Sequence, residues 1–538
     1  MQSLKSMSDR EILFSHLKKI GPASLSKFIN LSVLKQLESI DQEINISLMI
    51  DILFTEKGFN CLKDKKLRTL ILDTVNIQED ISSLASFSWG DNQKTKKFLD
   101  VLTISHDVID SKEINSEKNT SEIFRPLFPY QNIMRKNILA FLSGNKNKTL
   151  VHMPTGAGKT RTMLESACDF MRTINDKSYV VVWLAHTQEL CDQAVDEFLN
   201  LWNKHGDRDT DIIRLWGGRN YNINSITKPT FIVASFDTAY SYTKTMDDEK
   251  FKFFANLRQH CKLLIVDEAH QSIAPTYRQA IDLFSNFNTK VVGLTATPGR
   301  HHIGGDTDET VKLAEFYEDN KINITDDEGN TISDPIKFLT DKKVLSDATF
   351  YSLHASKEDI ELSAKEIEYM REKLDIPKEV LTRLGEDSIR TQNIIAYIVD
   401  LVRDYSAPTI VFAPSKDNAI TIATILKLHR IKAEAVVGDT SNDIRNKAIK
   451  DFKKGDIDVL VNFGVLTTGF DAPNIKAVVI ARPTMSVVLY SQMIGRGLRG
   501  TLMGGEPDCM IVNVKDNLIN MPNKNEAFLF FEQFYQER

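Results

Sequence analysis

A mainly helical N-terminal region followed by two tandem parallel α/β domains is the fold class that this 538-residue sequence predicts. Three observations carry it. Short runs rich in Val and Ile alternate with helical patterns from about residue 125 to 300, the same alternation restarts near residue 408, and the chain before about residue 122 shows helix-like apolar spacing without such runs. β-Branched runs separated by helices indicate parallel strands covered on both faces.

Taken in order, residues 1–122 contain "DREILFSHLKKI" and "LSKFINLSVLKQLESI", both of helical pattern. They end in "SKEINSEKNTSE", a polar, charged stretch that reads as a linker. Residues 123–305 hold the runs "KTLVHM", "YVVVWLAHT", "TFIVASF", "KLLIVDEAH" and "KVVGLTAT", each expected to be a strand. Residues 306–395 open on an acidic, turn-rich segment and continue with "SKEDIELSAKEIEYMREKL", expected to be a helix. They are expected to form a connector or insertion. Residues 396–538 hold "PTIVFAPS", "AEAVVGD", "IDVLVNFGV", "KAVVIARP" and "CMIVNVKD", the strands of the second domain.

Composition narrows the class. Hydrophobic residues make up 42% and charged residues 26%, enough for real cores, and no apolar run approaches the ~20 residues of a membrane-spanning helix. The start of the chain lacks an apolar stretch ending in small residues, so no signal peptide is expected. Five dispersed cysteines without a C-x-x-C pair argue against zinc and disulfides and fit a cytoplasmic location. A net charge of -6 predicts weak nonspecific binding to polyanions, without excluding phosphate contacts confined to one groove.

Three local motifs carry chemistry. "MPTGAGKT", Met153 to Thr160, follows a strand and opens a helical pattern, the setting of a P-loop. Pro154, Thr155, Gly156, Ala157 and Gly158 would form the loop, whose glycines let backbone amides face phosphate oxygens at a helix N-terminus. Lys159 would reach the β- and γ-phosphates and the Thr160 hydroxyl would bind Mg²⁺. The general pattern begins with Gly, and Met153 stands there instead. In "LLIVDEAH" a strand delivers Asp267 and Glu268 at its C-terminal end, where open α/β sheets bind ligands. Asp267 suits the metal, and Glu268 suits orienting and deprotonating a water; an acidic helix start is the plainer alternative. Late in the chain "QMIGRGLR" spaces Arg496 and Arg499 three apart, on one face and suited to a single anion. Because the P-loop is the only strong anion site, the two segments are expected to meet across a cleft with ATP between them.

Together these residues resemble superfamily two helicases and translocases of the DEAH type, in the family's motif order over roughly residues 125–517. The resemblance implies two RecA-like domains, ATP and Mg²⁺. "FPYQ" resembles the adenine-reading segment and implies Gln131 as a base contact, although Phe128 stands where the family often has Arg. "LAHTQEL" and "IVASFD" resemble strand-contact motifs, implicating His186, Thr187 and Ser235. The "DEAH" histidine, His270, and "LTATP", through Thr295 and Thr297, resemble the coupling elements. "VFAPS" implicates Ser415 toward the polynucleotide. "VLTTGFDAP" implicates Thr467 toward strand phosphates and Gly469 and Asp471 toward ATP. "QMIGRGLR" resembles the arginine-finger motif, with Gln492, Arg496 and Arg499. Ser and Thr at strand ends also serve as plain helix caps. The wording is nearer to bacterial restriction-subunit and repair helicases than to DEAD-box RNA proteins.

In the N-terminal region "LKKIGPASLSKFI" resembles a helix-hairpin-helix, with Gly21 at the turn and Lys27 flanking it, while Lys19 replaces the usual first glycine. A helical turn in a partner-binding or autoinhibitory domain is the alternative. The expected function is an ATP-dependent helicase or translocase acting on DNA (single strand, duplex or junction), with RNA as the alternative substrate and phage defence or repair as its setting. A nucleic-acid-gated switch, or a motor subunit that recruits a partner nuclease, is the competing expectation. No convincing D-x(n)-E-x-K nuclease signature accompanies the strands, and no membrane partner is expected.

Overall fold

The computed structural model describes residues 8–39, 43–75, 85–90, 93–108, 126–217, 226–244, 248–296, 308–326, 328–373, 375–440, 442–466, 472 and 474–519. Two parallel sheets form its frame. The first is a seven-stranded sheet of order β3-β4-β2-β5-β6-β1-β7. Its strands are β1 Lys148–His152, β2 Val180–Ala185, β3 Asp211–Leu215, β4 Thr230–Ser235, β5 Cys261–Val266, β6 Lys290–Thr295 and β7 Lys321–Ile322. The second is six-stranded, of order β10-β11-β9-β12-β13-β8. It comprises β8 Asp347–Glu361, β9 Thr409–Phe412, β10 Ala433–Val437, β11 Val459–Phe463, β12 Ala477–Ile480 and β13 Asp508–Ile519. Strands β2 and β4 are buried at every residue, as expected of parallel strands covered on both faces.

The segment between the sheets differs from its sequence reading. It gives β7 to the edge of the first sheet, beside β1, and β8 to the edge of the second, beside β13. "SKEDIE" therefore lies in a strand, and the helix begins only at Ala364. Register with β13, from Asp347 opposite Asp508 to Glu361 opposite Ile519, supplies ladder bonds that override a local helical pattern. β3, β7 and β8 were absent from the strands read off the sequence.

The N-terminal region is helical, with Asp9–Ile20, Leu31–Ser39, Ile46–Lys57, Lys65–Asp73 and Gln93–Leu102. A capping box of Ser8 and Glu11 starts the first helix. The run "LSKFINLSVLKQLESI" is broken rather than one helix: a 3-10 turn, Ser26–Phe28, precedes extended backbone at Ile29. Gly21 has φ 89° and makes the expected turn, but the helix after it, Pro22–Leu25, is a single turn. These helices share one apolar core with the second sheet, and Leu31–Ser39 and Ile46–Lys57 dock on the helix Lys416–Leu428. Across that contact Asn30 Nδ2 donates to Asp417 (2.6 Å), Thr421 Oγ1 donates to Gln36 Oε1 (2.9 Å), and Lys416 Nζ donates to Glu56 Oε1 (3.1 Å). No described helix is long and apolar enough to cross a membrane.

Candidate functional site

The C-terminal end of β1 runs into the P-loop, and the helix Lys159–Thr173 starts immediately after it. Gly156 (φ 85°) and Gly158 (φ 78°) take the left-handed backbone that makes the loop. A Cβ on Gly158 would lie 2.4 Å from Gln131 Nε2, so this is a close approach as well as a turn. Two donors converge on the loop carbonyl of Ala157: Tyr130 Oη at 2.8 Å and Gln131 Nε2 at 3.1 Å. Gln131 Oε1 accepts from the Phe128 amide at 2.9 Å. The amide expected to read a base thus also fastens the loop.

Asp267 and Glu268 follow β5 at the same edge of the sheet. Asp267 is 4% exposed, and its Oδ1 accepts from the Glu268 amide at 3.1 Å. Burial, then the neighbouring Glu268 charge, push its carboxyl above the ordinary carboxylate range, while Lys159 pulls it back down. Glu268 occupies φ 52°, ψ 52°, uncommon for a residue with a side chain. His270 Nδ1 stands 3.4 Å from Glu268 Oε2. The strand that ends in Thr295 is near: Met153 N donates to Thr295 O at 3.1 Å.

The second lobe closes the cleft. The helix Val487–Ile494 ends at Gly495, so Arg496 is carried by a turn and Arg499 by the irregular backbone that follows, with Arg496 N bonded to Met493 O and Gly497 N to Ile494 O. This corrects the simple helical-face expectation, yet both arginines reach one cleft of about 370 Å³. It is lined from the first lobe by Thr155, Lys159, Thr160, Asp267 and Glu268, and from the second by Gln492, Arg496 and Arg499. Contact between the lobes is tight: a Cβ on Gly495 would lie 2.1 Å from Thr155 Cγ2. Burial lowers both guanidinium pKa values to about 10, and Glu268 counteracts the effect at Arg496. Both arginines remain charged at neutral pH.

Several lining residues escaped the sequence reading. Arg161, paired with Glu165 (3.0 Å) and Glu197, forms one wall, and Leu502 and Met503 form an apolar end beside Phe128, which the sequence reading had named. Arg161 directly follows the P-loop threonine and could have been suspected; Leu502 and Met503 carry no local signal.

The expected strand-contact residues lie at the C-terminal edges of the sheets. β2 and β4 are neighbours with Ala185 opposite Ser235, which brings His186 and Thr187 beside Ser235. Thr187 Oγ1 accepts from Leu190 N (3.3 Å), Ser235 Oγ from Thr238 N (3.3 Å) and Ser415 Oγ from Asn418 N (3.2 Å). All three hydroxyls therefore cap helices, as the plainer reading expected. His186 is held by Tyr277, whose hydroxyl lies 2.7 Å from its Nδ1. Thr297, Thr467, Gly469 and Asp471 lie outside the described residues.

The arrangement fits a nucleoside triphosphate with its Mg²⁺. The glycine cradle, a lysine at a helix N-terminus and a buried carboxylate whose own charge is poorly matched are what such a ligand would complete.

Residues 125–300 match the family model described as the type III restriction enzyme res subunit, and residues 393–501 match the helicase conserved C-terminal domain. A protein of Schizosaccharomyces pombe, named as a mitochondrial ATP-dependent helicase irc3, is 29% identical over 417 residues, 74% of this chain and 60% of its own length. A protein of Saccharomyces cerevisiae, named as an ATP-dependent helicase IRC3, is 29% identical over 265 residues, 47% of this chain and 33% of its own. The chain thus spans about three fifths or less of these relatives. Among solved structures, the ATP-dependent type ISP restriction-modification enzyme LlaBIII bound to DNA matches at TM-score 0.50 and 15% identity, covering 76% of this chain and 29% of that one. At that identity the likeness speaks to fold alone.

Proposed function

The chain belongs to helicase superfamily two, and from that premise we propose that it hydrolyses ATP to step along, and unwind, a nucleic acid, preferentially DNA. One observation supports this above the rest: Arg496 and Arg499 of the second lobe share a cleft with Lys159 and Glu268 of the first. Charge spreading over a transferring γ-phosphoryl group needs cations on several sides. Lys159 provides one from the P-loop. Arg496 and Arg499, oriented with Gln492, provide the others only while the lobes are closed. Glu268 takes the proton of the attacking water. Thr160 and Asp267 would hold Mg²⁺, which when bound neutralises β- and γ-phosphate oxygens. Gln131 would meet the base, and Gly469 and Asp471 the nucleotide from the second lobe.

Coupling to the polynucleotide is assigned to His270, Thr295 and Thr297. His186, Thr187 and Ser235 on one lobe, and Ser415 and Thr467 on the other, would hold successive segments of one strand. Opening and closing between ATP states then moves one grip past the other. Grip on backbone phosphates predicts weak sequence preference and an affinity that falls steeply with salt. The five buried cysteines, none of them in a disulfide, support a reducing compartment such as the cytoplasm. The match to a restriction-enzyme subunit family supports a role in phage defence, with repair as the other setting.

The test is ATPase activity with single-stranded DNA, duplex DNA and RNA, followed by strand displacement on forked and blunt substrates. DNA-stimulated turnover and displacement, both lost in Glu268→Gln, are expected. Stimulation by RNA alone overturns the DNA preference. Turnover without displacement favours a translocating motor subunit or a clamp that recruits a nuclease.

A further inference from the structure

Three aromatic rings, from three separate segments, form a ladder at the C-terminal edge of the first sheet. Phe236, directly after β4, is buried at 4% exposure and anchors it. Tyr277, on the helix Pro275–Phe284, packs on Phe236 with centroids 4.4 Å apart and planes tilted by 48°. His186, just after β2, lies over Tyr277 at 6.0 Å and 23°, a stacked arrangement. The Tyr277 hydroxyl, 2.7 Å from His186 Nδ1, restrains rotation of the imidazole. Exposure rises along the ladder from buried Phe236 through partly buried Tyr277 to exposed His186.

An exposed imidazole pre-ordered by a stacked tyrosine is costly to build for a surface that touches only water, because both rings give up rotamer freedom. Its surroundings are Thr187, Ser235 and the β2 and β4 ends, the polar edge where the proposed motor holds its strand. Unpaired nucleobases stack on such platforms without regard to sequence, since each base has a π-face. Helix-capping hydroxyls could meet phosphates there, but they offer nothing to a base.

We propose that His186, backed by Tyr277 and Phe236, is a stacking site for one unpaired nucleobase of the bound strand. Tyr277 is a positioning residue: it acts by fixing the imidazole plane. The proposal rests on the motor reading above and adds a base contact to a grip otherwise made of phosphate contacts.

The experiment compares full-length protein binding to an intact oligothymidine strand and to an abasic strand of equal length, at salt high enough to weaken the phosphate term. The wild type is expected to prefer the intact strand by roughly fivefold or more. His186→Ala should erase the preference, and His186→Phe, which keeps a ring, should restore most of it. Tyr277→Phe keeps the ring but loses the hydroxyl, and should reduce the fluorescence quenching of a 2-aminopurine strand. Equal wild-type affinity for the two strands overturns the proposal while leaving the motor reading intact. So does a His186→Ala loss that is the same for both strands, which marks a phosphate contact, or a His186→Phe variant that behaves like His186→Ala. Failure to bind either strand, with no stimulation of ATPase, overturns the motor reading as well.

Discussion

Glu268 holds a left-handed backbone conformation that costs a residue with a side chain on the order of 1–2 kcal/mol. Its neighbour Asp267 is buried beside it, at the end of a strand that gives both residues little freedom to move. Local stability is traded here for a fixed pair of carboxylates. Asp267 binds a proton more tightly in the folded chain than in the unfolded one. The stability this contributes is therefore present at low pH and lost as pH rises through the elevated folded value. Without nucleotide or Mg²⁺, Asp267→Asn should raise Tm, and by more at about pH 8 than at about pH 5; an equal gain at both would show that the carboxylate is not held protonated. On the other lobe, Arg496→Ala or Arg499→Ala should cut kcat by ~10³-fold or more with a far smaller change in nucleotide affinity, as single-turnover kinetics and nucleotide titration would show. Arg496 faces Glu268, so the loss there should be at least as large as at Arg499.

The P-loop element was legible from sequence because its chemistry is local: two glycines, a lysine and a threonine fix both backbone and ligand within one turn. The arginine element was legible as residues but not as geometry. Its helix stops at Gly495, and the tight turn after it brings the arginines into the cleft. Gly495 has φ -60°, ordinary helical backbone, so its importance lies in space rather than conformation. Gly495→Val should therefore disturb lobe closure against Thr155 more than the fold. The expected result is at least a ~10-fold fall in ATPase with Tm moved by no more than a few degrees, checked by steady-state kinetics and calorimetry. A large drop in Tm with normal specific activity would place the effect in folding. β8 shows the opposite failure. Its second half carries charges at helical spacing, and only the partner strand β13, about 160 residues later, decides its state.

At the scale of the whole molecule, the N-terminal helices and the second lobe behave as one packed body. The helix Lys416–Leu428 is buried at every residue from Asn418 to Leu426, with the sheet on one side and N-terminal helices on the other. Its sequence, "NAITIATIL", is apolar nearly all round, which is the signature of a helix covered on all sides. That clue was available without coordinates, whereas the identity of the covering element was not. Removing residues 1–122 should expose this face, bind a hydrophobic dye and lower Tm by about 5 °C or more. Unchanged melting would mean that the region is an independent appendage. Because the N-terminal helices pack on that same helix, and Asn30 and Gln36 bond to Asp417 and Thr421 of it, any motion of the second lobe carries them and their Gly21 turn with it.

The sequence by itself determined the alternation of strand and helix, the phosphate loop, the acidic pair and the arginines, because each follows from short-range backbone preference or a few adjacent side chains. Only the tertiary structure decided that β7 and β8 complete the two sheets, that the N-terminal helices cover the second lobe, and that Tyr277 steadies His186. Those contacts join residues tens to hundreds of positions apart. Their free energy comes from burial and pairing, which no local window of sequence records.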